Sequence, residues 1–156
     1  MILAKHDQNN QGNSMTNITL NQARTIVDIA FAKAAELTLK PLTVAVLDAG
    51  GDIVILARQH GVSSLRPQIA IAKASGALGM GMSSRKIADM ATDRPSFFAS
   101  LLVLAPRGIV PAAGGNIIVG ADGETIGAVG VTGDTSDNDE TCGLAGIDAA
   151  TLFSAN

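Results

Sequence analysis

Leu42-Thr43-Val44-Ala45-Val46-Leu47-Asp48-Ala49-Gly50-Gly51-Asp52-Ile53-Val54-Ile55-Leu56-Ala57-Arg58 is the stretch that decides the fold. Two apolar runs rich in β-branched residues flank a short polar segment with a double glycine. β-Branched side chains suit a pleated surface, and glycine takes the positive φ that a tight reversal requires. The reading is an antiparallel hairpin, Leu42–Leu47 returning as Ile53–Arg58. Both strands are nearly apolar throughout, so both faces are expected to be covered, by helices or by another subunit.

Working outward, Thr19-Leu20-Asn21-Gln22 is a capping box. Behind it Leu20, Ala23, Val27, Ala30, Phe31, Ala34 and Leu37 recur at helical spacing until Pro41. After the hairpin, a second helix is predicted from Ser63 or Ser64, with Pro67 tolerated in its first turn. Its face, from Ile69 through Ala70, Ala72, Lys73, Ala74, Gly76 and Ala77 to Met80, is small enough to let a neighbour come close. Ser83-Ser84 caps a third helix through Met90, and Pro95 opens another through Leu104. Ile109-Val110 and Asn116–Val119 read as strand, Gly120–Gly123 as turn and Glu124–Thr132 as strand. Asp137 caps a last helix whose box Glu140 completes, with acidic groups at its positive end. Helix, hairpin, helices, hairpin, helix is an α+β layout with a mainly antiparallel sheet.

A chain of 156 residues, 47% hydrophobic, can bury one sizeable core. Aromatic residues are only 3%, so Ala, Val, Ile, Leu and Met must build that core. The net charge of −3, with 11 scattered basic residues, argues against nucleic acid, whose phosphates need clustered Lys and Arg. Cys142 is the single cysteine, so no intrachain disulfide or Cys/His zinc set can form, which fits a reducing compartment. Residues 1–14 read as a polar N-terminal tail without the apolar core of a secretory signal, and 15–156 as the domain. Met15 could itself be the biological start, and His6 belongs to the tail. No run is long enough to cross a bilayer, so a cytoplasmic protein without membrane contact is expected.

From Val46-Leu47-Asp48-Ala49-Gly50-Gly51 onward the chain resembles the GlcG/HbpS-like family. The resemblance runs through Arg58, Gly61, Ser64, Ile69-Ala70-Ile71-Ala72-Lys73-Ala74 and Pro111-Ala112-Ala113-Gly114-Gly115. It closes on Ile126–Gly133 and Asp139-Glu140, covering roughly Thr19 to Ala150 in consistent order. It implies a single α+β domain with a five-stranded, mainly antiparallel sheet flanked by helices, built into a homo-oligomer. Relatives include haem-binding proteins linked to redox sensing, the C-terminal domain of some corrinoid adenosyltransferases and proteins of catabolic operons. Fold transfers across such a family better than function does. The chain departs from the pattern at His60, where Asp is expected, and at Ala113, where Pro often precedes the double glycine. Its first helix also lacks the His that binds haem in some relatives.

Among candidate residues, His60 could ligate haem iron or exchange protons, and a surface-loop histidine is the plainer alternative. Arg58 and Lys73 could bind a carboxylate or haem propionate, or form ion pairs with Asp48 or Glu140. Gly114-Gly115-Asn116 could offer backbone N–H groups to an anion, or serve only as a strand entry. Asp137, Asp139 and Glu140 read as helix-start acids rather than a metal cluster, and Cys142 as a packed thiol. Two functional classes follow. The first is a small-molecule or haem-binding accessory protein of a catabolic or redox-response system. The other is an isomerase or lyase acting on a small carboxylated metabolite, with His60 as base and Arg58 as clamp. A ligand-free structural oligomer is the third possibility. All three place Arg58, His60 and Lys73 around a common hollow or leave them unemployed.

Overall fold

The structure is a computed structural model that describes residues 16–155; the polar tail, His6 and Met15 lie outside them. Helix α1 (Leu20–Glu36) begins at the expected box. The Gln22 amide donates to Thr19 Oγ1 at 3.2 Å, and Gln22 Oε1 accepts from the Thr19 amide at 2.9 Å. Strands β1 (Thr43–Asp48) and β2 (Ile53–Arg58) form the hairpin. Asp48 Oδ1 accepts from the Gly50 and Asp52 amides across its turn, where Gly51 takes φ 85°. Then follow α2 (Arg66–Met80), α3 (Ser84–Asp93), α4 (Pro95–Leu101), β3 (Gly115–Val119), β4 (Thr125–Thr132), α5 (Ser136–Ala149) and β5 (Phe153–Ala155).

The strands pair antiparallel in the order β2-β1-β4-β3-β5. Strand alternation divides the sheet into two faces. Val44, Val46, Ile118, Val129 and Val131 point to one side and pack with Ala23, Ile26 and Ala30 of α1 and Cys142 and Ile147 of α5. Leu47 and Ala128 point to the other, against Ala74 of α2. Helix α2 lies unusually low on that face because β4 carries no side chain at Gly130. A Cβ there would run into the backbone carbonyl of Ala70.

The chain itself covers only β1 of the hairpin on both faces; β2 is an edge strand, and Ile53 and Leu56 on its α2 side, 49% and 40% exposed, are left for the other expected cover, a second subunit. Five local expectations are corrected. Ile109-Val110 joins no strand, because Ile109 is drawn onto the bare Gly76 of α2, where an added Cβ would lie 3.3 Å from it. Helix α2 starts at Arg66 without a side-chain cap, and α4 stops at Leu101 rather than Leu104. Thr135, not Asp137, caps α5, its Oγ1 accepting from the Asn138 amide at 3.3 Å. Glu140 closes no box there, since its carboxylate pairs with Arg85. Among the described residues no helix is long and apolar enough to cross a membrane.

Candidate functional site

The sheet register fixes where each candidate residue stands. Arg58, the last residue of β2, opposes Thr43, so its side chain belongs to the α2 side of the sheet at an exposed edge. His60, two residues on, is exposed and borders a shallow hollow of about 380 Å³ with Ala34, Leu39 and Lys40 near the end of α1. Lys73 is buried inside, in the middle of α2. The three therefore do not gather around one hollow.

Lys73 is held by two acceptors, Val131 O at 2.9 Å and Asp139 Oδ2 at 3.1 Å. Both side chains of the Lys73–Asp139 pair are about as buried as side chains can be, 3% and 2% exposed. Burial lowers the Lys73 pKa and raises that of Asp139, and their mutual attraction opposes both movements. The other carboxylate oxygen, Asp139 Oδ1, accepts from the Asp134 amide. Lys73 thus ties α2 to the start of α5 and the end of β4, and its partner is Asp139 rather than Asp48 or Glu140.

The double glycine belongs to the same knot. Gly114 takes φ 117°, and a Cβ on it would lie 3.0 Å from Lys73 Nζ. A Cβ on Gly115 would collide with the Lys73 backbone carbonyl, and its amide already donates to Ser84 Oγ at 2.7 Å. Close packing explains both positions, and the Gly115 N–H is engaged.

A larger hollow opens at the opposite end of the hairpin. A cleft of about 650 Å³ lies between the Ala49–Gly51 turn, the C-terminal half of α2 and the segment after α4. Leu78, Leu101, Leu104 and Ile109 give it apolar walls, and Met80 and Arg107 also line it. Arg107 donates to Asp52 Oδ1 at 2.9 Å, with both side chains well exposed. On α2 the cleft reaches back to Ser75, so about 14 Å of helix separates it from the Arg66 end. The volume falls within the roughly 300–1,000 Å³ range of small-molecule sites.

Sequence reasoning missed Met80 and Arg107 as site residues. Met80 reads as the last turn of a small-faced helix and Arg107 as part of an Ala-Pro-Arg-Gly turn. Only the layout of α2 over the hairpin brings them to one cleft. Among the described residues no cluster of three His, Cys, Asp or Glu side chains could hold a metal ion.

Comparison with known proteins places this geometry in a family. The chain is 27% identical over 139 residues to a 15.0 kDa protein of the dhaT-dhaS intergenic region of Citrobacter freundii, covering 89% of this chain and 96% of that protein. Its fold superposes on PduOC, solved as a haem complex, with a TM-score of 0.80 at 20% identity, covering 90% of this chain and all of the other. HbpS superposes with a TM-score of 0.73 at 25% identity, covering 94% of this chain and 97% of that one. The family model described as "Haem degrading protein HbpS-like" matches residues 18–148. The five-stranded α+β domain assembled here from its hairpins and glycines belongs to the HbpS-like family.

Proposed function

We propose that this chain is a small-molecule-binding accessory protein of a catabolic or redox-response system, and that its ligand is haem or a related tetrapyrrole. The cleft carries the proposal: it is large, walled by Leu78, Leu101, Leu104 and Ile109, and edged by a single guanidinium. A flat macrocycle asks for an apolar slot with cationic contacts for its carboxylates. The residues present fit haem. Arg107 would leave Asp52 for a propionate, a cheap exchange because exposed ion pairs stabilise by only about 0–1 kcal/mol. Met80 would hold the iron through its thioether, a group haem iron accepts. Bound haem would supply a redox-active iron. The apolar walls would bury part of its ring, and the Ala49–Gly51 turn would close one side. Membership in an HbpS-like family and likeness in fold to a protein solved with haem support the reading.

His60 remains the competing ligand, reached from the α1 hollow rather than the cleft. Titration of the purified chain with haem, followed by absorbance, tests both. A shifted Soret band saturating at one haem per chain is expected, unchanged in His60→Ala and altered in Met80→Ala. Absence of a saturable band would remove haem, and a band lost only in His60→Ala would move the site to the α1 hollow.

A further inference from the structure

At the far end of α2 from the cleft, Arg58 and Arg66 have no carboxylate partner among the described residues. Arg66 Nη1 donates to Thr132 Oγ1 at 2.7 Å. Thr132 stands directly across from Thr43 on β1, and Thr43 directly across from Arg58 on β2. Opposed residues of antiparallel strands project to one face, so Arg58, Thr43 and Thr132 form a row across three strands, with the Arg66 guanidinium at one end. Thr43 Oγ1 is fully buried and has no hydrogen-bond partner. Buried hydroxyls nearly always have one, so this row is incomplete as it stands.

The nearby acids do not complete it. Asp139 holds Lys73 and the Asp134 amide, and Asp134 accepts from the Lys40 and Thr135 amides and from Asn138 Nδ2. The first turn of α2, which points its positive end here, lacks a side-chain cap.

We propose that this row is an oxyanion site that takes the carboxylate or phosphate group of a small molecule. The two guanidiniums hold the anion by charge-assisted hydrogen bonds, Arg66 swinging from Thr132 onto it. That swing has to uncover Thr43 Oγ1, which is fully buried; its hydroxyl then donates to a bound oxygen and gains the partner it lacks. The site stands about 14 Å from the near edge of the cleft along α2, so it does not rest on haem binding.

Isothermal titration calorimetry of the full chain tests this, with succinate and inorganic phosphate as probes and chloride holding the ionic strength constant. One anion per chain is expected for at least one probe; binding of only one names the source, carboxylate or phosphate ester. Arg58→Gln and Arg66→Gln should each weaken it about tenfold. Thr43→Val should weaken binding several-fold while leaving the ligand-free unfolding midpoint unchanged or higher, because it removes an orphan hydroxyl. No saturable heat from either probe at millimolar concentration would overturn the proposal. So would affinities that survive both arginine substitutions, or a Thr43→Val protein that loses thermal stability and binds normally.

Discussion

Cys142 sits nearly two turns into α5, fully buried against β4, and has no nucleophilic setting. Burial first, and the Asp139 carboxylate second, push its thiol up from 9.0 to about 11. Because the folded pKa lies above the unfolded one, folding favours the protonated thiol. That contribution is complete below about pH 9 and is lost as pH rises through about 11, amounting to roughly 2–3 kcal/mol. Urea unfolding of wild type and Cys142→Ala across that window should show wild type losing this increment relative to the variant. Parallel pH profiles would contradict it. The sequence made the inert thiol legible, since no base could be assigned beside it. The Lys73–Asp139 pair was only half legible. A lysine within an alanine stripe is conspicuous, but an Asp at a helix start is equally at home as a dipole-neutralising group. With both charges desolvated, losing one partner leaves the other uncompensated, which marks the pair as a structural tie.

At the scale of elements, the glycines of β4 set how closely α2 approaches the sheet. Gly130→Ala should push Ala70, and α2 with it, off β4 and cost about 1–3 kcal/mol, measured as a lower urea midpoint. Gly79→Ala is the contrast: nothing lies within 4 Å of its Cβ, and helix propensity alone should stabilise by about 0.5–1 kcal/mol. Equal effects of the two substitutions would mean that α2 does not rest on β4 as described. The hairpin, α1 and the small face of α2 could be read directly from periodicity and turn residues. Ile109-Val110 could not, because β-branched residues suit a strand and a helix-packed segment alike, and only the bare Gly76 decides between them. The three-residue β5 offers too little pattern to be recognised, and the resemblance, which ends near Ala150, implied five strands without placing one there.

For the whole molecule, the sequence carried the layered α+β architecture but not the cleft. The cleft's lining comes from three segments far apart in the chain, and no local pattern links the Ala49–Gly51 turn to Arg107. The same layout leaves large apolar side chains in water: Ile53 at 49%, Leu56 at 40% and Val103 at 85% exposure. We therefore propose a homo-oligomer that covers the open side of β2 and the segment after α4. Light scattering at micromolar concentration should find a species larger than one chain, and a monomer would remove that proposal.

The central claim is that the cleft beside the hairpin turn is where the ligand goes. Gly79 lines it with open space around its Cβ, so a phenylalanine there fills the cleft while α2 stays in place. Haem titration of Gly79→Phe, checked for wild-type circular dichroism, is the most direct test. Loss of the saturable Soret shift in a folded variant is the predicted result, and undiminished haem binding would contradict the account.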